Sequence, residues 1–140
     1  MIAIIRIVGL VKVKKDIAET LDRLRLRRKY SCAVVKESPE IMGMIKKTRN
    51  FVAYGSINEK TLTKLIEVRG KKEGKKNAKI ENPEKIAKEI FAGKTFKEFG
   101  LKPFFRLHPP RKGIDTKHHY PKGVLGNNGE EINKLIERML

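Results

Sequence analysis

A 140-residue chain with 33 Lys or Arg against 16 Asp or Glu carries a formal net charge of +17, a self-repulsion that a polyanion relieves, so nucleic acid is the expected partner and an anionic membrane surface the rival. Hydrophobic residues at 39%, with no Trp, allow one modest core. No apolar run approaches the ~18 residues of a spanning helix, MIAIIRIVGLV lacks the flanks of a signal peptide, and the lone Cys32 allows no intrachain disulfide, so a reduced cytoplasmic setting is expected.

In chain order, Ile2 to Val8 reads as a β-branched strand buried on both faces and ended by Gly9. Ile17, Leu21 and Leu24 fall at i, i+4, i+7 and predict a helix starting near Asp16. Asp16 and Glu19 occupy its first turn, and Arg25, Arg27 and Arg28 are expected at its end, complementing the dipole. Ser31 to Lys36 is a second strand. Ser38-Pro39 predicts an N-cap and first helical residue, with Ile41, Met42 and Ile45 as the apolar side. Asn50 to Tyr54 is a third strand stopped by Gly55. Residues 1–56 thus predict a β-α-β-α-β core domain of the α+β class.

Residues 57–140 predict an extension packed on that core. Asn58 caps a helix over about 59–69 that stops at Gly70, and the Lys/Gly-rich stretch 69–79 reads as a mobile loop. Asn82-Pro83 starts a helix over about 83–92, with Ile86, Ile90 and Phe91 on one face and Gly93 at its stop. Thr95 and Glu98 form a capping box for a short turn ending at Gly100. A last helix covers about 130–139, with Ile132, Leu135, Ile136 and Met139 apolar.

Between these lies KPFFRLHPPRKGIDTKHHYPKG, residues 102–123, with six Lys or Arg, four Pro, all three His and one acid. It has no sustained period, so residues 108–122 are expected to be disordered or weakly ordered in the free protein and to order against RNA. Phe104 and Phe105 suit an added strand on the core more than base stacking.

Enzyme chemistry finds little support. Gly93-Lys94-Thr95 imitates the end of a phosphate-binding loop, but Lys88 stands where its first glycine belongs. His108, His118 and His119 lack the further ligands a metal needs, Cys32 sits in an apolar strand, and the acids form no pair for acid-base work. No cofactor, metal or small-molecule substrate is expected.

The cations form four groups suited to phosphate contact. Lys12, Lys14 and Lys15 follow strand one; Arg23, Arg25, Arg27, Arg28 and Lys29 end helix one; Lys46, Lys47 and Arg49 end helix two. The fourth group is Arg106, His108, Arg111, Lys112, Lys117, His118, His119 and Lys122. Gly43, inside helix two, has two readings: a close helix–sheet contact, or a place where an RNA backbone approaches.

GLVKVKKDIAETLDRLRLRRKYSCAVV followed by SPEIMGMIKKTRNFVAYG resembles the core of the L thirty family of large-subunit ribosomal proteins. NEKTLTKLIEVRGK, PFFRLHPPRKG and GNNGEEINKLIERML resemble the extension of its archaeal and eukaryotic long forms, the latter called L seven. The direct start at strand one and the short linker from Phe91 to Gly100 fit an archaeal-type member. The resemblance implies an antiparallel three-stranded sheet somewhat like the ferredoxin fold. It also implies a structural role in the large ribosomal subunit, bound to its ribosomal RNA, with 5S RNA nearby and other ribosomal proteins as neighbours. The alternatives are a non-ribosomal RNA-binding or processing factor and, in a different class, a phosphate-ester enzyme on a similar scaffold.

Overall fold

The computed structural model describes residues 1–140 except 10, 73 and 75–79, so the predicted mobile loop falls largely outside the described residues. The elements are β1 (Ile2–Arg6), α1 (Lys15–Arg23), β2 (Ser31–Val35), α2 (Pro39–Thr48), β3 (Val52–Ser56), α3 (Glu59–Arg69), α4 (Pro83–Phe91), β4 (Phe104–Arg106), β5 (Gly126–Asn127) and α5 (Ile132–Met139). Short 3-10 turns cover Phe96–Phe99 and Gly129–Glu131.

The sheet has five strands in the order β4-β2-β1-β3-β5. β1 lies antiparallel between β2 and β3, as the resemblance implies, and β4 adds to β2 antiparallel. β5 adds to β3 in parallel. Residues C-terminal to α4 therefore supply both outer strands, with β4 the strand expected from Phe104 and Phe105. β5 was invisible in the sequence, because two residues with a glycine carry no alternation to detect.

Both faces of β1 are buried. Ile2 and Ile4 pack with Leu21, Leu24, Leu26, Ile45 and Val52 under α1 and α2. Ala3, Ile5 and Ile7 pack on the other face with Leu62, Leu65, Ile66, Ile90 and Phe105. The four apolar residues of α5, Ile132, Leu135, Ile136 and Met139, complete that side. At roughly 1.5–3 kcal/mol for each fully buried side chain, α5 alone anchors the extension firmly.

Several local expectations need correction. α1 ends at Arg23, so Arg25, Arg27 and Arg28 lie beyond it and do not complement its dipole. From Leu24 the burial alternates, with Leu24 and Leu26 inside and Arg25 and Arg27 outside, and Arg25 takes φ 62. Burying Leu26 requires leaving the helix, which overrides helical propensity. Gly55 does not stop β3 but sits inside it: a Cβ there would lie 2.2 Å from the carbonyl oxygen of Gly129. Its lack of a side chain lets the start of the last helical region cross the strand.

Ser38 caps α2 by accepting from the Ile41 amide at 3.2 Å, and Asn58 caps α3 by accepting from Thr61 at 2.7 Å. Asn82 and Thr95 make no such side-chain bond, and Asn82 takes a left-handed conformation with φ 50.

Candidate nucleic-acid interface

Register places the connections that carry cations. Ile5 faces Cys32, Arg6 faces Val52, Ser31 faces Arg106 and Ala53 faces Gly126. The start of β2, the start of β3, the end of β4 and the start of β5 therefore share one end of the sheet. The α1–β2 loop, the α2–β3 turn and the long β4–β5 connection all meet there. Three of the four cationic groups are brought together by strand order alone.

Arg23, Arg25, Arg27 and Arg28 line a groove of about 370 Å³ whose far wall is Phe104 and Arg106 on β4. The Arg106 guanidinium lies 5.8 Å from the Phe104 ring centre, and Lys29 Nζ lies 5.0 Å from that of Tyr30. Arg23 is tied to Glu19 at 3.0 Å across exposed surface, a pair of small energetic weight. Among the described residues, Arg25, Arg27, Arg28 and Arg106 enter no ion pair. Asp22 and Ser31 also line the groove, but its guanidiniums outnumber that one acid and favour phosphate, whose oxygens match their forks.

Lys47 reaches Asp16 at 3.7 Å, which brings the end of α2 to the start of α1 and so joins Lys46, Lys47 and Arg49 to Lys12, Lys14 and Lys15. His119 Nε2 lies 2.8 Å from Asn50 Oδ1, which ties the basic segment to the α2–β3 turn.

Residues 108–122, expected to be disordered or weakly ordered in the free protein, carry several tertiary hydrogen bonds. The His108 amide donates to Met139, that of Arg111 to Arg138, and that of Leu125 to His118. Arg138 Nε and Nη2 donate to the Arg111 carbonyl at 3.0 and 2.8 Å, and Nη2 also reaches that of Gly113. Asp115 accepts from the Lys117 amide at 2.9 Å and pairs with His118 at 2.8 Å. A loop held by such tertiary bonds has no period, which is why the pattern could not reveal it.

Arg111, Lys112, Lys117 and Lys122 remain exposed on this loop. His108 is different: its ring nitrogens lie against the carbonyl oxygens of Pro109 and Leu140, so it serves the fold. Gly43 is exposed and a Cβ there would meet nothing within 4 Å, which removes the helix–sheet reading of that glycine.

One residue of the site was missed by sequence reasoning. Arg6 is 1% exposed, and its guanidinium donates, among the described residues, to four carbonyls: Val8 at 2.9 Å, Gly9 at 3.2 Å, Leu26 at 2.8 Å and Arg27 at 3.1 Å. It joins the loop after β1 to the loop bearing the arginines. The available signal was a single cation inside an otherwise apolar strand.

The enzyme-like signals resolve as structure. Gly93-Lys94-Thr95 follows the end of α4, so it cannot open a helix after a strand. Cys32 is fully buried, and burial pushes its thiol up to about 12, which leaves it inert. Among the described residues, no group of His, Cys, Asp and Glu is placed to hold a metal ion, and no helix is long and apolar enough to cross a membrane.

A layered α+β fold that places an arginine-lined groove beside β4 and cation-bearing connections at one end of the sheet defines a basic protein shaped to face a polyanion. Residues 2–52 match the family model described as Ribosomal protein L30p/L7e. The chain is 44% identical to "Large ribosomal subunit protein uL30" of Archaeoglobus fulgidus, with 99% of each chain covered. It is 41% identical to the protein of that name in Nanoarchaeum equitans, covering 99% of this chain and 97% of that one. With its counterpart in Methanosphaera stadtmanae the identity is 40% over the whole of both chains. The chain belongs to the Ribosomal protein L30p/L7e family.

Proposed function

We propose that this protein is a structural, non-enzymatic constituent of the large ribosomal subunit in the cytoplasm, where it binds ribosomal RNA and supports translation. The observation that carries this reading is the convergence of the α1–β2, α2–β3 and β4–β5 connections, with their cations, at one end of the sheet. The contacts we assign to RNA are Lys12, Lys14, Lys15, Arg23, Arg25, Arg27, Arg28, Lys29, Lys46, Lys47, Arg49, Arg106, Arg111, Lys112, Lys117, His118, His119 and Lys122. Exposed Gly43 lets a backbone approach α2. We read residues 1–56 as the core and 57–140 as an extension, supported by the way β4 and β5 join opposite edges of the core sheet. Nearness to 5S RNA is supported by the resemblance of that extension to the long forms alone.

Cosedimentation of the tagged protein with large subunits through a high-salt cushion tests the assignment. Stable retention on the large subunit is expected. Loss into the soluble fraction, with binding to transfer RNA or precursor RNA instead, would overturn it.

A further inference from the structure

A second concavity, of about 520 Å³, opens at the other end of the sheet, beside the end of β2. β4 pairs only with residues 31–33 of β2, so Val34 and the following Lys36 lie beyond its cover. Val34, Ile90, Phe91, Phe96 and Pro103 give the concavity an apolar floor. Phe96 is held edge-on against Phe105, with ring centroids 5.7 Å apart. Phe91, the last residue of α4, is 37% exposed there.

The rim is cationic: Arg25, Lys36, Lys94 and Lys97. Among the described residues only Lys94 has an acidic partner, Glu89 at 3.6 Å. Arg25 lines both this cleft and the arginine groove, and the chain neighbours Pro103 and Phe104 line one each. The two concavities thus form a single track along the β4 edge.

We propose that this cleft receives splayed-out bases of a single-stranded RNA segment, with the arginine groove holding the phosphates that lead into it; the proposal rests on the RNA-binding reading above. A single strand offers flat, weakly polar base faces and one phosphate for every base. An apolar floor beneath a cationic rim matches that alternation, whereas a duplex keeps its bases stacked inside. The volume falls within the ~300–1,000 Å³ range of sites that enclose small molecules, enough for a nucleobase.

The test titrates the full-length protein with a fluorescein-labelled ten-nucleotide single-stranded RNA and, separately, with an RNA hairpin. Phe91→Ala should weaken single-strand binding by about 5- to 100-fold, the range of base–aromatic stacking, while hairpin affinity stays at wild type. Phe91→Tyr, which keeps a ring, should restore it. Because Phe91 is partly exposed, the fold tolerates both changes, and a melting curve checks this. Single-strand affinity unchanged in Phe91→Ala, while Arg27→Ala/Arg28→Ala weakens both RNAs, would overturn the cleft proposal and leave the RNA reading standing. Failure of the wild type to bind either RNA would overturn both. Protection of Phe91 by an acidic, leucine-rich peptide but not by RNA would assign the cleft to a protein neighbour and refute the proposal.

Discussion

Nη1 of Arg6 donates to the carbonyl of Leu26 at 2.8 Å, so a fully buried cation of the sheet holds the loop from which Arg25, Arg27 and Arg28 project. Burial holds the Arg6 guanidinium below its ordinary range while Asp22 opposes that shift; a guanidinium starts so high that it stays charged at any working pH. Among the described residues its hydrogen-bond acceptors are backbone carbonyls, with Asp22 adding a Coulombic attraction. Removing it would strand those carbonyls.

Arg6→Met should therefore lower folding stability, since each buried acceptor left unpaired costs about 1–3 kcal/mol. Arg6→Lys should recover only part, because an ammonium lacks the planar fork that reaches two loops at once. Urea unfolding measures both. A Met variant with the wild-type midpoint would show that Arg6 is dispensable to the loop.

Gly43 offers a cleaner separation of stability from binding. A Cβ there meets open space, so Gly43→Ala should raise stability by up to about 1 kcal/mol through helix propensity. Gly43→Leu should also fold normally yet bind ribosomal RNA less well, because its side chain would occupy the approach to α2. A fall in melting temperature for Gly43→Ala would refute the open-face placement; full RNA affinity in Gly43→Leu would remove Gly43 from the interface.

The basic segment carries a prediction about pH. The Lys117 amide, then the His118 side chain, hold the Asp115 carboxyl below its ordinary 3.8. A depressed folded pKa stabilises the loop above the unfolded value, and that contribution is lost as pH falls through the folded one. The Asp115 contribution is thus present at neutral pH and lost only in acid. An NMR titration of the Asp115 carboxyl should show a midpoint below 3.8; a midpoint at or above that value would contradict the anchoring.

The sequence was most legible where a pattern repeats. Continuous apolar β1 foretold burial on both faces, and Ser38 and Asn58 marked two helix starts through caps that the structure contains. It was least legible where one tertiary bond decides. Arg138 reaching back to Arg111 ties down a segment that composition alone presents as unfolded. Gly55 looked like a strand end because nothing local announces that Gly129 will cross it. The cationic groups were readable one by one, but their gathering at one end depends on strand order, which spacing does not encode. Arg6 was overlooked because its partners are backbone carbonyls, those of Leu26 and Arg27 lying about 20 residues away, and such carbonyls leave no sequence signature.

We assign the exposed arginines beside β4 to RNA phosphates. The most direct test is the salt dependence of affinity for large-subunit ribosomal RNA, compared between wild type and Arg27→Ala/Arg28→Ala. Phosphate contacts release counterions, so log affinity should fall steeply and linearly with log salt. Removing both arginines should flatten that slope by about two units. A slope identical to wild type would place Arg27 and Arg28 off the RNA and contradict the account.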